Sequence, residues 1–390
     1  MFKKYVLFLL IIVCAFSYTF GQGRQVPITG NTSQLKYFFD ALKEAKSKKI
    51  RVAHFGDSVI EGDVVTMEIR DILQQKFGGN GAGFISVNTE DAMMRKTTKV
   101  SFSKDWKEAS IFKRNPNKWQ FGINAAVFQP SAKSWAQFDA STLSKTLKSF
   151  NTARVFYTNS SDKDAQLKYS LGNSSQTVKM NMAGNKVQEY VAKGNGANWF
   201  KIEPINAENT FFYGVSLENG NGVYVDNFPI KGNSGVSLVD IPRSVLTDFN
   251  NLLNYKLIII SFGLNVLSPE YRDYSWYEKK MEKVVNYFKE AFPKTSILIV
   301  SVGDKGVKKG SKFVTDPSIK LLLQSQQNVA KNTNVAYWSL FDAMGGENSV
   351  DTWVSARPPL VSRDFAHFTY EGGDKVAHLL TQSLLNLYNK

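Results

Sequence analysis

Short apolar segments alternate with amphipathic helical patterns at both ends of this 390-residue chain, and this alternation restricts the possible folds more than any other feature. Near the N-terminus, apolar residues at helical spacing precede a strand-like run over 50–55. In the C-terminal part, apolar runs over 257–262, 296–302 and 335–341 alternate with helical patterns. Short buried strands alternating with helices are typical of a parallel sheet covered on both faces. We therefore predict an α/β domain built from the two ends of the chain.

The middle of the chain has a different pattern. From about residue 96 to 222 the helical periodicity fades, and short alternating runs such as 154–157, 166–171 and 210–217 are separated by turn residues. Such runs are typical of half-buried strands. We expect a β-sandwich over 96–222, inserted between a first α/β part over 22–95 and a second over 223–390.

The first residues predict a secretory signal peptide over 1–21. Lys3 and Lys4 precede an apolar run over 5–16, and the small residues Thr19 and Gly21 suit cleavage before residue 22. The run is shorter than the roughly 20 residues needed to cross a bilayer. We therefore expect an exported protein, periplasmic or at the cell surface or outside the cell, with no membrane span in the mature chain.

Composition narrows the function classes further. Cys14 is the only cysteine, so removal of the signal peptide would exclude disulfides and thiolate metal sites. The formal net charge of +14 would fall to +12 without the two leader lysines. In an exported protein this excess of positive charge favours anionic polymers as partners. Lysine side chains that are simply solvated at the surface would explain it equally. Nucleic acid is a weak alternative, because no recognition motif accompanies the charge.

A candidate nucleophile lies where the first predicted strand ends. Gly56, Asp57 and Ser58 separate this strand from the next helical pattern. A serine in such a turn is exposed at the carboxyl end of a parallel strand, where it can act as a nucleophile. The alternative is that Asp57 or Ser58 merely caps the helix.

A nucleophilic serine needs a base, and the chain contains only three histidines. His378 lies within the terminal helical pattern and His54 within a predicted buried strand, so both are expected to be structural. His367 lies in a loop just before the last helix, three residues after Asp364. In a Ser-His-Asp triad the carboxylate orients the imidazole and the imidazole accepts the serine proton. On its own, an Asp-x-x-His loop is more often simply solvated.

Together these motifs resemble the SGNH, or GDSL-like, esterase superfamily, in which the serine follows Gly-Asp and Asp-x-x-His precedes the C-terminal helix. Gly263-Leu264-Asn265 matches the family's Gly-x-Asn, and the stretch 226–234 resembles its glycine block. The resemblance implies an oxyanion hole formed by the Ser58 and Gly232 backbone amides and the Asn265 side chain, with Gly235 as the fallback. Val59 and Val266 depart from the family pattern and leave the substrate preference open.

The resemblance implies an α/β, flavodoxin-like three-layer SGNH hydrolase fold with a parallel sheet, and with an inserted β-sandwich similar to a carbohydrate-binding module. A narrower resemblance, carried by stretches 77–84 and 343–348, is to exported bacterial O-acetylesterases of polysaccharide or peptidoglycan. Aromatic residues of the insert could stack on sugars, although its tryptophans (Trp106, Trp119, Trp135 and Trp199) are expected mostly in the core. We interpret the lysine-rich stretch 303–312 as a solvated loop.

The function implied is an exported serine esterase that hydrolyses O-acetyl esters of a cell-wall or extracellular glycan through an acyl-enzyme on Ser58. The expected partner is the O-acetylated polysaccharide or peptidoglycan substrate; no metal or organic cofactor and no nucleic acid is implied, and no protein partner is predicted. Two alternatives stay open: an O-acetyltransferase acting on the same glycans, and a catalytically inactive glycan-binding protein.

Overall fold

The computed structural model describes residues 23–113, 115–141 and 145–390, so the predicted signal peptide lies outside the described residues. The strands, in chain order, are β1 (Thr29–Gly30), β2 (Lys49–Gly56), β3 (Asn80–Ser86), β4 (Thr98–Phe102), β5 (Lys107–Ser110), β6 (Ala126–Gln129), β7 (Ala136–Ala140), β8 (Phe150–Asn159), β9 (Gln166–Leu171), β10 (Ser174–Lys179), β11 (Gly184–Ala197), β12 (Trp199–Ile205), β13 (Thr210–Asn219), β14 (Gly222–Pro229), β15 (Tyr255–Ser261), β16 (Ser296–Val300), β17 (Gly306–Lys309), β18 (Lys312–Thr315) and β19 (Ala336–Trp338).

The α-helices are α1 (Lys36–Lys43), α2 (Thr66–Phe77), α3 (Glu90–Met94), α4 (Arg243–Leu253), α5 (Ser275–Ala291), α6 (Ile319–Asn332), α7 (Leu340–Met344), α8 (Ser349–Ser355) and α9 (Tyr370–Tyr388). Short 3₁₀ turns cover Thr32–Leu35, Ser58–Asp63, Val236–Asp240 and Leu264–Val266. None of the helices in the described part of the chain combines the length and the apolar character needed to cross a bilayer.

A mainly parallel sheet forms the α/β part, with strand order β1-β19-β16-β15-β2-β14. All neighbouring pairs are parallel except the two-residue edge strand β1, which runs antiparallel to β19. The sheet is buried on both faces, because Ile258 and Ile260 of β15 enter one hydrophobic core and Leu257 and Ile259 enter another. Helices α4, α5 and α6 cover the first face, and α1, α2 and α9 cover the second. The predicted α/β fold with a parallel sheet is confirmed.

Two antiparallel sheets occupy the middle of the chain. Their strand orders are β10-β9-β12-β7-β4 and β11-β8-β13-β6-β5, and β3 also pairs with β13. Side chains of both sheets meet in one hydrophobic core that includes Phe138 and Phe200 from the first sheet and Phe128 and Val155 from the second. The second sheet therefore extends, through β3, to residues that precede position 96.

A buried charge network joins the middle sheets to the parallel sheet. Nη1 of Arg51, on β2, lies 2.9 Å from both carboxylate oxygens of Asp226, on β14. Arg51 Nη2 donates to Ser216 Oγ at 3.0 Å and contacts the Glu218 carboxylate. Ser216 and Glu218 both lie on β13. Tyr255 Oη donates to Asp226 at 2.6 Å. The guanidinium and both carboxylates are almost fully buried, so the two parts of the protein share a polar interior as well as an apolar one.

Local structure departs from the sequence prediction at two places. The turn after β2 is a 3₁₀ helix that breaks at Gly62 (φ 67°) before α2 begins, so Ser58 does not open an α-helix directly. The predicted strand over 335–341 is shortened to β19, because Ser339 caps α7 by accepting from Asp342.

The interpretation of 303–312 as a solvated loop was wrong. Residues 306–315 form the β17–β18 hairpin, in which Val307 pairs with Val314 and Lys308 with Phe313. The many lysines make this stretch too polar to be recognised as strands from its sequence. Phe313, which follows Lys312, nevertheless packs against Phe365. The hairpin therefore lies against the loop that carries Asp364 and His367.

Candidate active site

The sequence motifs that contain Ser58, Gly232 and Asn265 meet at one edge of the parallel sheet. Gly56, the last residue of β2, is the register partner of Pro229 at the end of β14 and of Ser261 at the end of β15. The chain leaves these strands toward Ser58, Gly232 and Asn265, respectively. A glycine is needed at position 56, because a Cβ there would lie 2.9 Å from the Ser261 carbonyl oxygen. The fourth motif, Asp364 to His367, immediately precedes α9.

The side chains of Ser58, His367 and Asp364 form a continuous chain of hydrogen bonds. Ser58 Oγ lies 2.8 Å from His367 Nε2, although the two residues are 309 positions apart. His367 Nδ1 lies 2.8 Å from Asp364 Oδ2. The other Asp364 oxygen accepts the backbone amides of Ala366 and His367, each at 3.0 Å. The carboxylate is thus held by its own loop and aimed at the imidazole.

The lowered pKa of Asp364 favours an ionised carboxylate beside the His367 imidazole. Partial burial alone would raise the pKa of the Asp364 carboxyl, but the backbone amide and the ring of His367 outweigh it and lower the pKa. The Asp364 side chain is 50% exposed and the His367 side chain 41% exposed. The pair therefore lies at an open surface rather than in a closed cavity.

Asp57 connects the serine turn to the asparagine turn, a role that the sequence motif did not indicate. Its buried carboxylate accepts the Val59 amide at 3.0 Å and the Leu264 amide at 3.2 Å. Burial raises the pKa of Asp57 to about 6, although these hydrogen bonds oppose the shift. The carboxylate fixes the position of Ser58 relative to Asn265, because it binds the residue next to each.

The predicted oxyanion donors flank this turn. Gly232 lies in an exposed turn with φ 69°, and its backbone N–H has no hydrogen-bond partner within the described part of the chain. Asn265 is exposed, and its Nδ2 donates to the Asn233 carbonyl at 3.1 Å. Gly235, the fallback donor, is buried and donates its amide to Asn233 Oδ1 at 2.7 Å. Of the two glycines, only Gly232 therefore has an amide free for a ligand.

The other histidines lie elsewhere. His54 is buried on β2 with its Nδ1 2.8 Å from Thr66 Oγ1, and burial lowers its pKa to about 3. His378 lies on α9 with its Nε2 3.3 Å from Glu68 Oε1 at the surface. Within residues 23–113, 115–141 and 145–390, no group of three or more metal-ligating side chains converges.

Comparison with known proteins identifies the fold. No family model matches the sequence, and no curated protein matches it significantly. A solved structure of a peptidoglycan O-acetylesterase matches with a TM-score of 0.76 and 18% sequence identity, covering 93% of this chain and 99% of that chain. This chain therefore shares the fold of that esterase over nearly its whole length. At 18% identity this match shows the fold alone.

Two further solved structures match less well. A family two carbohydrate esterase from Cellvibrio japonicus matches with a TM-score of 0.31 and 10% identity, over 75% of this chain and 99% of that one. An acetyl xylan esterase matches with a TM-score of 0.32 and 16% identity, over 42% of this chain and 81% of that one. Similarity at this level does not establish a common fold.

Proposed function

We propose that this protein is a serine esterase that removes O-acetyl groups from a glycan. The observation that carries the proposal is the hydrogen-bond chain from Ser58 Oγ through the His367 ring to Asp364, at 2.8 Å for each step. Nucleophile, base and orienting carboxylate are all within bonding reach, which is the arrangement that acyl transfer through a serine requires. The exposed position of the pair is compatible with an ester carried on a polymer.

The reaction takes place in two steps. His367 Nε2 accepts the Ser58 hydroxyl proton while Oγ bonds to the acetyl carbonyl carbon, and the tetrahedral intermediate expels the sugar oxygen, which receives that proton from His367. Water then loses a proton to His367 and attacks the acyl-enzyme, and Ser58 leaves as the hydroxyl while acetate is released. Asp364 stabilises the imidazolium in both steps and keeps Nε2 directed at the serine.

The oxyanion formed in each step accepts hydrogen bonds from the Ser58 and Gly232 amides and from the Asn265 side chain. A side-chain amide nitrogen has two hydrogens. One Asn265 hydrogen is directed at the Asn233 carbonyl, and this contact orients the amide and leaves the second hydrogen for the oxyanion. Gly232 rather than Gly235 supplies the second backbone donor, because the Gly235 amide is already used by Asn233. Each such donor is worth about 10²–10³ in rate.

The glycan assignment rests on two supports. The shared fold is that of a peptidoglycan O-acetylesterase. The predicted signal peptide over 1–21 would send the protein to the periplasm or outside the cell, where such polymers lie. We further assign 22–95 and 223–390 to the hydrolase domain and 96–222 to an inserted β-sandwich that recruits the polymer.

Acetate release tests the proposal. The wild-type protein and Ser58→Ala are assayed with an aryl acetate and with O-acetylated peptidoglycan, and Ser33→Ala, in the 3₁₀ turn that precedes α1, serves as the matched control. We expect Ser58→Ala to lose on the order of 10⁴–10⁶ in kcat and the control to match wild type. Equal rates for wild type and Ser58→Ala would refute the nucleophile. Supplying an acceptor glycan and measuring its mass separates hydrolysis from acetyl transfer.

A further inference from the structure

A groove of about 670 Å³ lies between the α/β part and the middle sheets. One wall is contributed by residues that follow Ser58 and β14 or lie on α3, among them Glu61, Glu90 and Lys231. Further lining residues come from the segment that begins at β5, including Glu108 and Phe112. The function proposed above uses none of these side chains.

The groove begins beside the candidate active site. Glu61 belongs to the same 3₁₀ turn as Ser58, and Lys231 immediately precedes Gly232. A Cβ built on Gly232 would lie 3.6 Å from the Phe112 ring, which is ordinary van der Waals contact. A polymer with its ester at Ser58 would therefore pass over Gly232 and meet Phe112 next.

Two apolar side chains that line the groove are left open to solvent. Phe112 is 51% exposed, and Met93 on α3 is 55% exposed. A single exposed apolar residue carries no information. Here, however, two of them line one concave surface, and an open aromatic face of this kind stacks on the apolar face of a sugar ring. The tryptophans of the middle sheets are less available, since Trp106 is buried and the other three are half-buried.

The charges of the groove argue against a polyanionic occupant. Lys231 Nζ lies 3.4 Å from Glu61 and 3.3 Å from Glu90, and Lys113 pairs with Glu108. Each lysine that lines the groove in the described part of the chain therefore has a carboxylate partner. Carboxylates outnumber lysines there, although the whole chain carries a formal charge of +14. Carboxylates accept hydrogen bonds from sugar hydroxyls but repel acidic groups.

From this arrangement we infer that the groove is a subsite for a run of uncharged sugar residues, with one ring stacked on Phe112 and hydroxyls donated to the Glu61 and Glu90 carboxylates. The inference rests on the proposed function, because the polymer is the one whose ester reaches Ser58. It narrows the substrate class from anionic polymers, which the basic composition favours, to glycans that present neutral sugars beside the acetylated one.

Binding without turnover tests the subsite directly. A neutral β-1,4-linked N-acetylglucosamine oligomer and an anionic polygalacturonate oligomer of equal length are titrated into Ser58→Ala, with or without Phe112→Ala, by calorimetry. We expect the neutral oligomer to bind, Phe112→Ala to weaken its binding about tenfold, and Phe112→Trp to restore it. Equal affinity with and without Phe112, or tighter binding of the anionic oligomer, would overturn the inference.

Kinetics provide a second, separate readout. For Phe112→Ala in an otherwise wild-type chain, the ratio of kcat/KM on O-acetylated peptidoglycan to kcat/KM on an aryl acetate should fall about tenfold, mainly through KM. Tyr37→Ala removes another exposed aromatic, on α1 outside the groove, and should leave this ratio unchanged. An unchanged ratio for Phe112→Ala would refute the subsite while leaving the esterase proposal intact. Only a failed Ser58→Ala test would refute the esterase itself.

Discussion

The ring of Phe313 lies flat against the ring of Phe365, with centroids 3.6 Å apart and planes inclined by 7°. Phe365 stands between Asp364 and His367 and has a left-handed backbone, with φ 59°. Its carbonyl also accepts the Gly306 amide at 2.9 Å. A non-glycine residue rarely adopts this conformation without support. The β17–β18 hairpin therefore holds the backbone that sets the Asp364–His367 geometry.

Phe313→Ala should lower kcat for an aryl acetate about tenfold with little change in KM, because the loop would lose the contact that orients His367 toward Ser58. Phe313→Tyr should restore the rate, since the ring is kept. Lys309→Ala, on the same hairpin, is the matched control. A Phe313→Ala protein with a lower Tm but wild-type kcat would show that the stack serves stability alone.

Asp364→Asn should reduce kcat by on the order of 10²–10⁴, because an amide cannot stabilise the imidazolium and can select the wrong tautomer. The carboxylate has a lowered pKa and is ionised at neutral pH. Wild-type activity should therefore not depend on Asp364 titration between pH 6 and 8. Pre-steady-state assays across this range measure both effects, and a wild-type rate in Asp364→Asn would contradict the assigned role.

Asn265→Ala should lower kcat by about 10²–10³ while leaving KM nearly unchanged, because the amide contacts the oxyanion only once it has formed. Asn233→Ala keeps the backbone carbonyl that holds Asn265, so its effect should be much smaller. Aryl acetate kinetics compare the two variants. Equal losses would indicate that the asparagines act through the fold of the turn.

Glu218→Gln should lower the free energy of unfolding at pH 7 by about 3–5 kcal/mol, because the buried Arg51 would lose one of its two carboxylate partners. Burial alone would raise the pKa of Glu218, but Arg51, Arg154 and Lys49 outweigh it and lower the pKa to about 2. The stabilisation is present above the ordinary value of 4.5 and is lost as the pH falls toward 2.

Urea unfolding of wild type and Glu218→Gln at several pH values measures this dependence. The difference between the two proteins should be largest at neutral pH and shrink below pH 4.5. Glu203→Gln removes a partly exposed carboxylate on β12 and serves as the control. A difference that stays constant from pH 7 to pH 3 would contradict the assigned ionisation of Glu218.

The sequence predicted those features that local patterns determine. The buried strands β2, β15 and β16 and the helices α2, α5 and α9 follow from apolar spacing, and parallel strands bring their carboxyl ends to one edge. The turn after β2 pointed to Ser58, and elimination among the three histidines pointed to His367 with Asp364, whereas Gly232 and Asn265 were implied only by the family resemblance. Ser58 and His367 are in contact.

Features that depend on distant contacts were not predictable. The Asp57 carboxylate binds the Leu264 amide, which comes near it only because β2 and β15 are neighbours. The exposed ring of Phe112 can be assigned to the groove only because the fold brings it next to Gly232. The lysines over 305–312 obscured the strand pattern of a hairpin that packs against Phe365. Short strands such as β5 and β6, of four residues each, carry too few alternations to be recognised.

The buried Arg51 network has a consequence for how this protein can be altered. Excision of 96–222 would remove Glu218 and Ser216 from the guanidinium, and would also take Phe156 away from Phe84, whose ring it stacks on at 5.6 Å. Such a truncated chain would expose apolar side chains such as Phe84 and would leave Arg51 with fewer carboxylate partners. It should therefore precipitate. The proposed ester cleavage and polymer recognition should therefore be separable by point substitutions, but not by deletion of the middle sheets.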